Sequence, residues 1–502
     1  MYNRPLSDGE VAMTWNNTLP MFGTLTGTVT SAFSGLPIGG ATVSIPPSYS
    51  TTTLANGTYS MPAPAGLQDV TCSAPGYDPK TKQVTIVATQ TSVLDFALDP
   101  SPGTITGVVT NAISGAPVIG ARIQVTNPPY NTVAYSVAGG AYTLDVFPTG
   151  TFAVECIKPG FENYPLGNIN FQQGVTQTIN IPLLEAANIP FDPVAVLNTG
   201  QTAANISWGL PRGDYELLYD DGIPESFTVW AVSGNENAVR FTPLAYPVTL
   251  IGGSVNIGTI DDYPAGANPL VPFQVAVFDG SGPGGAPGNP IDTVDVVPDD
   301  YGWIEFSLNP VTITSGSFYL VMIQGGNAPD AAGIAIDTTI QTLRSWSRFV
   351  TGSGPWVPAG GNFLMRAVVN GAGGPVPLDL AGEGDPGQGI NTDDPEAITG
   401  YQVWRLKQGE EGTPGVWTSI GNPTATNISD NSWPSLPCGP YRWAVEAIYT
   451  GNRFSDPAFS NVLGKCWTAG VTINVTPTCT ETPLEGSLVS LVNNAYPDTA
   501  YV

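Results

Sequence analysis

Residues 23–30 read Gly-Thr-Leu-Thr-Gly-Thr-Val-Thr, and residues 103–110 read Gly-Thr-Ile-Thr-Gly-Val-Val-Thr. The turn that follows, Ser34-Gly-Leu-Pro-Ile-Gly-Gly-Ala41, also returns 80 residues later, as Ser114-Gly-Ala-Pro-Val-Ile-Gly-Ala121. A fixed displacement between similar stretches is typical of an internal repeat. The sequence therefore predicts two consecutive copies of one domain.

Two later motifs follow in the same order in both copies. Asn56-Gly-Thr-Tyr59 corresponds to Gly139-Gly-Ala-Tyr142, and Pro75-Gly-Tyr77 corresponds to Pro159-Gly-Phe161. Apolar residues alternate with polar ones in the repeated stretches, and Gly, Pro and Asn interrupt them at short intervals, which favours short β-strands joined by turns. Residues 21–100 and 101–186 resemble carboxypeptidase regulatory-like, transthyretin-like domains. That resemblance implies two small β-sandwiches.

A second domain type is indicated on both sides of a long intervening segment. Ala204-Asn-Ile-Ser-Trp-Gly-Leu-Pro211 resembles strand B of a fibronectin type III domain, while Thr399-Gly-Tyr-Gln-Val-Trp404 and Pro440-Tyr-Arg-Trp443 resemble strand C and a tyrosine corner leading into strand F. We therefore assign a split fibronectin type III-like domain to residues 187–212 and 379–467.

The segment between those halves, residues 213–370, reads as an inserted domain followed by a linker at 371–378. It contains further strand-like runs and resembles jelly-roll modules of large secreted bacterial surface proteins, on the basis of Tyr219-Asp-Asp-Gly222 and Asn362-Phe-Leu-Met-Arg-Ala367. The predicted fold class is therefore all-β, with tandem antiparallel β-sandwiches of transthyretin-like and Ig-like type and a jelly-roll sandwich inserted in the fibronectin-like domain.

Both ends of the sequence resemble parts of domains. Residues 1–20 include one terminal strand, Glu10-Val-Ala-Met-Thr-Trp15, and residues 468–502 resemble the first half of a third regulatory-like repeat. Two interpretations are open: the chain is a segment of a longer protein, or its half-domains are completed by neighbouring chains through strand exchange.

Charge excludes some partners. The 502 residues contain 15 Lys and Arg, 41 Asp and Glu and no His, which gives a net charge of −26, although charged residues make up only 11% of the chain. Such a chain lacks the cations needed to bind nucleic acid and is repelled by anionic lipid headgroups. No apolar run reaches the roughly 18 residues of a membrane span. We expect no nucleic-acid partner and no membrane insertion.

The absence of histidine also narrows the possible chemistry. Catalytic triads of the Ser-His-Asp kind, Cys-His pairs and most catalytic zinc sites use an imidazole. Paired-carboxylate catalysis remains compatible with the composition but has no motif in support. We therefore predict that the chain is not an enzyme and has no cofactor, apart from a structural calcium ion discussed next.

Asp doublets are the candidate calcium ligands, because Ca²⁺ prefers clustered carboxylate and carbonyl oxygens. The best candidates are Asp220, Asp221, Asp299 and Asp300 if a site exists, but the spacing alone does not bring the doublets together and favours solvated turns. A separate candidate is a ligand platform formed by Trp346 and Trp356, whose rings would stack on sugars if they are exposed and would pack in the core if they are not.

The five cysteines fall into two groups. Cys72 and Cys156 occupy equivalent positions in the two repeats, on apolar strand faces, and are expected to be buried, inert thiols. A hairpin around Gly451-Asn452 would place Cys438 opposite Cys466, so we predict a disulfide between them and hence an oxidising compartment. Cys479 has no evident partner.

Together, these features predict a non-catalytic extracellular structural or adhesive protein of a bacterial surface. Such a protein could be the subunit of a fibre or filament. Its expected partners are other copies of itself or neighbouring surface proteins. Two alternatives remain: a carbohydrate-binding adhesin module, which would bind glycans, and the accessory region of a secreted hydrolase whose catalytic domain lies outside this segment.

Overall fold

A computed structural model describes residues 21–126, 132–243, 245–339, 343–349, 354–372 and 398–465, together with the backbone of 488–493 and 496–501. The chain divides into two compact units. The first comprises residues 1–186 and 212–396, and the second comprises residues 187–211 and 397–502.

Repeat 1 is a sandwich of two four-stranded sheets. Its strands are β1 (Phe22–Ser31), β2 (Thr42–Ile45), β3 (Tyr49–Thr52), β4 (Thr58–Pro64), β5 (Gly66–Ala74), β6 (Tyr77–Ile86), β7 (Thr91–Val93) and β8 (Phe96–Leu98). One sheet has the order β4-β1-β7, with β8 also on β1, and the other has the order β3-β2-β5-β6. Most pairs are antiparallel, whereas β7 and β8 run parallel to β1.

Repeat 2 has the same topology. Its strands are β9 (Gly103–Asn111), β10 (Arg122–Val125), β11 (Val133–Tyr135), β12 (Ala141–Val146), β13 (Gly150–Ile157), β14 (Tyr164–Phe171), β15 (Thr176–Thr178) and β16 (Ile181–Leu183). The sheets are β12-β9-β15, with β16 on β9, and β11-β10-β13-β14. The repeated sequence motifs therefore fold into equivalent strands, as predicted.

The motif tyrosines close both sandwiches in the same way. The Tyr59 hydroxyl donates to the carbonyl oxygen of Leu94 at 2.6 Å, and the Tyr142 hydroxyl donates to that of Ile179 at 2.7 Å. Each ring is buried in its core beside the thiol at the equivalent position, Cys72 or Cys156. Both cysteines are buried free thiols, and burial raises the pKa of Cys72 to about 11 and that of Cys156 to about 12.

The remainder of the first unit is a larger set of sheets. It uses the end of β18 (Ala204–Leu217) and the strands β19 (Ser226–Thr228), β20 (Glu236–Phe241), β21 (Val248–Asn256), β22 (Phe273–Asp279), β23 (Pro290–Val296), β24 (Trp303–Ile313), β25 (Phe318–Ile323), β26 (Ile334–Asp337), β27 (Ser345–Arg348), β28 (Val357–Pro358), β29 (Asn362–Phe363) and β30 (Met365–Gly371). We call this part the insert. Its sheets have the orders β18-β30-β21-β24, β23-β22-β25-β20-β27-β28 and β19-β26-β29.

The first and last strands of the insert are neighbours. In antiparallel register, Gly213 of β18 pairs with Gly371 of β30, and Leu217 pairs with Ala367. A domain whose two ends lie side by side can be accommodated within a loop of another domain. The predicted linker at 371–378 falls almost entirely outside the described residues.

The second unit is also a β-structure. It contains β17 (Ile189–Leu197), the beginning of β18, β31 (Ile398–Lys407), β32 (Thr418–Gly421), β33 (Asn427–Asp430), β34 (Gly439–Tyr449), β35 (Arg453–Phe454), β36 (Ala458–Phe459), β37 (Leu463–Lys465), β38 (Leu488–Asn493) and β39 (Tyr496–Tyr501). Trp208 and Trp443 are buried in its core. The Tyr441 hydroxyl donates to the carbonyl oxygen of Pro437 at 3.0 Å, which is the hydrogen bond of a tyrosine corner.

Helical structure is minor in the described residues. It consists of three-residue 3-10 turns at Ala138–Gly140, Ile260–Asp262, Pro283–Gly285, Pro414–Val416, Trp433–Ser435 and Thr450–Asn452. In this part of the chain, none of the helices has the length and apolar character of a membrane span.

Candidate functional site

The main site of the first unit is a set of buried charges between repeat 2 and the insert. Arg366 on β30 makes two hydrogen bonds with Asp220, from Nη2 to Oδ1 at 2.6 Å and from Nε to Oδ2 at 3.3 Å. Both side chains are almost fully buried. The two sequence motifs that indicated a jelly-roll module are thus joined directly to each other by an ion pair.

Repeat 2 contributes a second buried pair to the same place. Lys158 follows β13, and its ammonium group donates to the carboxylate of Glu216 on β18. The nearest guanidinium nitrogen of Arg366 lies 3.9 Å from Oε2 of Glu216. We refer to Lys158, Glu216, Asp220 and Arg366 as the docking quartet. Its two positive and two negative charges balance, which is what buried charges require.

An aromatic ring and the local electrostatics complete the quartet. The guanidinium carbon of Arg366 lies 4.0 Å from the ring centroid of Trp303, a cation–π contact in a desolvated position. Burial lowers the pKa of Lys158, although the Glu216 carboxylate opposes this effect. For Arg366, burial is outweighed by the carboxylates of Asp220 and Glu216, so its pKa is raised.

Further polar contacts lie near the quartet, at the edge of the interface between repeat 2 and the insert. Arg122 on β10 and Tyr135 on β11 both contact Glu305 on β24, with an Arg122 Nη1–Oε2 distance of 3.0 Å and a Tyr135 hydroxyl–Oε1 distance of 3.1 Å. Burial, aided by the Glu305 carboxylate, raises the pKa of Tyr135. A cavity of about 370 Å³ lies among these groups, lined in part by Gly120 and Arg366.

Repeat 1 lacks these docking residues. The registers of the two sandwiches place Arg122 opposite Tyr135 in repeat 2 and Thr42 opposite Thr52 in repeat 1. Lys158, directly before the Pro-Gly-Phe motif, corresponds to Ala74, directly before Pro-Gly-Tyr. Three positions that hold small, neutral residues in repeat 1 thus hold residues in repeat 2 that pair with the insert. Sequence reasoning missed this site, although the difference between two similar repeats was a usable signal.

The predicted calcium ligands do not come together as a group of four. Asp220 pairs with Arg366, and Asp299 and Asp300 lie on an exposed turn. Asp221 instead joins Glu225 and Asp337, whose carboxylate oxygens all lie within 4.8 Å of one another. Glu225 and Asp337 were not among the predicted ligands, because neither belongs to an Asp doublet and Asp337 is more than 100 positions away from Asp221 in the sequence.

This carboxylate group combines a buried and an exposed side. Asp337, on β26, is buried and accepts a hydrogen bond from the backbone nitrogen of Asp221 at 3.1 Å, whereas Glu225 is exposed. Burial, together with the carboxylates of Asp337 and Glu225, raises the pKa of Asp221. A cation at this position would offset the repulsion among the three carboxylates. Carboxylate oxygens are ligands that Ca²⁺ prefers.

Trp346 and Trp356 lie on the outer face of one sheet of the insert. Trp346 is on β27, Trp356 directly precedes β28, and both are partly buried against a small apolar cluster that includes Phe278. The guanidinium carbon of Arg348 lies 4.5 Å from the Trp356 ring centroid, and Nε of Arg348 pairs with Oε2 of Glu236. The indole N–H groups of both tryptophans are buried without a hydrogen-bond partner among the described residues. Both indole rings are therefore partly exposed, and the Arg348 guanidinium lies over the Trp356 ring.

Only one residue of the predicted disulfide lies in the described part of the chain. β34 and β37 pair antiparallel with Gly439 opposite Lys465. Cys466 lies outside the described residues, as does Cys479. The bond stays a prediction.

Comparison with known proteins identifies the repeats. Residues 24–99 and 104–184 match the carboxypeptidase regulatory-like domain. The chain is 28% identical over 326 residues to bacillopeptidase F of Bacillus subtilis (strain 168), a match that covers 62% of this chain and 20% of that protein. The matched part thus spans about a fifth of the length of this relative.

Solved structures give more distant similarities. The Bacillus anthracis TIE protein is 11% identical, with 63% of this chain and 48% of that chain covered and a TM-score of 0.23. The shaft pilin SpaA of Lactobacillus rhamnosus GG is 12% identical, with 34% and 98% covered and a TM-score of 0.16. Similarity at this level indicates neither a shared arrangement nor a function. The domain match, in contrast, covers both repeats and confirms the resemblance seen in their sequences.

Proposed function

We propose that the chain is a non-catalytic structural or adhesive protein of a bacterial surface, located outside the cell, in which β-sandwiches serve as spacers. Two regulatory-like domains in tandem, a composition without histidine and an overall excess of acids support this proposal. A spacer has to hold its domains in fixed positions. The observation that carries the proposal is the docking quartet, which fastens repeat 2 to the insert.

The quartet can hold repeat 2 against the insert because a buried ion pair costs more to break than it contributes when it is complete. A complete set of buried ion pairs adds little net stability, but removal of one partner leaves an uncompensated charge and costs about 3–5 kcal/mol. Any arrangement of repeat 2 and the insert that separates Lys158 from Glu216 therefore has a higher free energy. Trp303 and the contacts of Glu305 with Arg122 and Tyr135 extend the same interface.

The junction between the repeats is also fixed. The linker residue Ser101 donates from its backbone nitrogen to the Gly76 carbonyl oxygen at 2.9 Å and from its hydroxyl to Asp78 at 2.7 Å. On the other side, the Gly174 nitrogen donates to the Pro102 carbonyl oxygen at 3.0 Å. A linker that is hydrogen-bonded to both of its neighbours restricts their motion.

The substitution Lys158→Ala tests the spacer function, because alanine is the residue that repeat 1 has at this position and the sandwich tolerates it there. We expect small-angle X-ray scattering of the full chain to show a larger radius of gyration, with the circular dichroism of the sheets retained. Lys80→Ala, which breaks the exposed pair between Lys80 and Asp99, is the matched control. Identical scattering for both variants and the wild type would contradict a role for the quartet.

A carbohydrate-binding adhesin is the first alternative. The surface formed by Trp346, Trp356 and Arg348 supports it, because aromatic faces beside a cation suit sugars, acidic ones in particular. A glycan array probed with the full chain tests this alternative. Binding that is lost in Trp356→Ala but kept in Trp404→Ala would support it, and an array without any bound glycan would remove it.

The accessory region of a secreted hydrolase is the second alternative. The observation in its favour is the similarity to bacillopeptidase F over 326 residues. The test is the genomic sequence around this segment. A longer reading frame that encodes a histidine-containing catalytic domain would support the accessory role, whereas a frame without one would favour an independent structural protein.

A structural calcium ion is part of the proposal, with Asp221, Glu225 and Asp337 as ligands. The proximity of their carboxylates supports it. Calcium should raise the melting temperature of the wild type and a chelator should lower it, whereas Asp337→Asn should abolish both effects. Asp299→Asn, in an exposed turn, is the control. A wild-type melting temperature that does not change with calcium or chelator would contradict the ion.

A further inference from the structure

The first and last strands of each repeat run side by side in the same direction. In repeat 1, β1 pairs in parallel with β7, with Thr24 opposite Thr91, and then with β8, with Ser31 opposite Leu98. The chain therefore enters repeat 1 at one end of β1 and leaves it at the other. In repeat 2, β9 pairs in the same way with β15 and β16. We call this contact between the terminal strands the seam of each repeat.

A pull on the two ends of a repeat acts along its seam. The preceding chain pulls β1 backwards from its first residue, and the following chain pulls β8 forwards from its last. Because the hydrogen bonds of a ladder run between the strands rather than along them, this pull slides the strands past each other and loads all the bonds together. A pull that separates two strands from one end breaks the bonds one after another instead. The direction of the terminal strands thus decides how well a repeat resists extension.

Backbone hydrogen bonds extend the seam beyond the paired residues. In repeat 1, the Thr24 nitrogen donates to the Gln90 carbonyl oxygen at 2.8 Å, and the Ala32 nitrogen donates to that of Leu98 at 2.8 Å. Repeat 2 has the equivalent two bonds, from the Thr104 nitrogen to the Val175 carbonyl oxygen at 3.0 Å and from the Ala112 nitrogen to that of Leu183 at 2.7 Å. Each seam is therefore bonded over the full length of the first strand.

One side chain bridges the gap between the two short closing strands. In repeat 1, Oδ1 of Asp95, between β7 and β8, accepts hydrogen bonds from the Thr28 nitrogen at 2.7 Å and from the Thr28 hydroxyl at 2.8 Å. In repeat 2, Oδ1 of Asn180, between β15 and β16, accepts from the Val108 nitrogen at 3.1 Å. The two repeats thus keep this bond with different residues at equivalent positions.

The strands of each seam also approach closely at one glycine. A Cβ added to Gly27 would lie 1.9 Å from the Leu94 carbonyl oxygen, and one added to Gly107 would lie 1.9 Å from that of Ile179. The same two carbonyl oxygens accept the hydrogen bonds of the motif tyrosines. A core tyrosine therefore holds the closing segment at the point where it touches the first strand.

The terminal strands of the insert have the opposite arrangement. β18 and β30 are antiparallel, with Gly213 opposite Gly371 where the chain enters and leaves. A pull on these two ends would separate this pair first and the pairs behind it in turn. One chain thus contains a domain whose terminal strands can be peeled apart and two repeats whose terminal strands must slide.

We propose that repeats 1 and 2 bear tensile load, with the seam of each repeat as the element that resists extension. This inference rests on the structural role proposed above and specifies the force that the spacer withstands. A spacer between a surface and a bound partner is under tension whenever the two are drawn apart. Its resistance is kinetic, because forced unfolding is governed by the rate of unfolding.

Force-clamp measurements with optical tweezers on the full chain test the proposal. One handle is attached at the C-terminus and the other at the N-terminus, which loads the seam of repeat 1 along its strands. In the second arrangement, the other handle is attached to an unnatural amino acid in place of Leu36, which is 66% exposed in the turn after β1. Both pulls then act at the same end of the seam and peel β1 from β8. We expect repeat 1 to unfold at least about tenfold faster at equal force in the second arrangement, since its bonds then break one at a time.

A substitution in the seam gives a second test with the N-terminal handle. Asp95→Ala should raise the unfolding rate of repeat 1 by about two- to tenfold, because it removes both hydrogen bonds from Thr28. Asp95→Asn should restore the wild-type rate, because repeat 2 has asparagine at this position. Asp69→Ala is the matched control, since Asp69 is also exposed and accepts a hydrogen bond from Gln83 at 2.8 Å, but on β5, outside the seam.

Two outcomes would overturn the proposal. One is an equal unfolding rate of repeat 1 for the two handle positions, and the other is a response to Asp95→Ala no larger than the response to Asp69→Ala. Scattering that still responds to Lys158→Ala would in either case leave the proposed spacer function intact.

Discussion

The guanidinium of Arg366 lies 2.6 Å from Oδ1 of Asp220, although the two residues are 146 positions apart. Asp220 follows the first strand of the insert, and Arg366 lies on its last strand. One buried ion pair thus joins the beginning and the end of the insert. Because Arg366 is also close to Glu216, which binds Lys158 of repeat 2, the closure of the insert and its docking to the repeat depend on the same charges.

Asp220→Asn should destabilise the insert by about 3–5 kcal/mol, because it leaves the Arg366 charge buried with only the more distant Glu216 to compensate it. Urea denaturation followed by tryptophan fluorescence measures this change. Asp299→Asn, an exposed residue, should stay within about 0.5 kcal/mol of the wild type. A similar small effect for both variants would show that the pair is not a stabilising contact.

Gly107→Ala should destabilise repeat 2, because a Cβ at this position would lie 1.9 Å from the carbonyl oxygen of Ile179. Relief of such a clash requires backbone movement, and overpacking typically costs about 1–3 kcal/mol. Gly27 has the same 1.9 Å contact with Leu94 in repeat 1, so Gly27→Ala should behave alike. Gly412→Ala, where nothing lies within 4 Å, is the control in the same thermal melts. Tolerance of alanine at both repeat positions would be inconsistent with this packing.

Stability should fall at alkaline pH, in part through Tyr142. Burial raises the pKa of Tyr142 to about 12, whereas an unfolded tyrosine titrates near 10. Between these values the folded state binds more protons than the unfolded state, so the contribution is fully present below pH 10 and is lost as the pH rises through about 12. Tyr142→Phe should have a shallower decline than the wild type in this window. Parallel curves for the two proteins would contradict the assignment.

The same substitution has a second, pH-independent effect. Tyr142→Phe removes the hydrogen bond to the Ile179 carbonyl oxygen, so at neutral pH it should cost about 0.5–1.5 kcal/mol. Tyr59→Phe, which removes the equivalent bond to Leu94 in repeat 1, provides a matched comparison.

A disulfide between Cys438 and Cys466 should be detected by peptide mapping of the non-reduced protein. Its loss in Cys438→Ser should lower the free energy of unfolding by about 2–4 kcal/mol. Reductant should destabilise the wild type and leave Cys438→Ser unchanged, which separates the bond from other effects of the substitution. Peptide maps in which both residues are alkylated as free thiols would refute the prediction.

Local signals in the sequence were sufficient for the repeats. Alternation with period two, the Gly and Pro turns and the Gly-x-Tyr motif all act within one sandwich, and they recur in order, so the strands and their core residues could be predicted. The alternation did not reveal that β7 and β8 run parallel to β1, because the direction of a short closing strand depends on the path of the connecting loop.

The candidate sites required the tertiary structure. Asp221 was predicted as a calcium ligand, but its neighbours Glu225 and Asp337 could be identified only when β26 was placed next to the start of the insert. Trp346 and Trp356 were recognised as candidates, yet their half-buried positions depend on the sheet beneath them.

The all-β class, the two repeats and the absence of histidine are evident from the amino-acid sequence alone. Which of the few basic residues form specific contacts is evident only in the fold, where Lys158 binds Glu216, 58 positions away. The physical reason is that periodicity encodes which face of a strand is buried, whereas the partner of that face is selected by long-range packing. A charge becomes a specific contact only where packing excludes water from it.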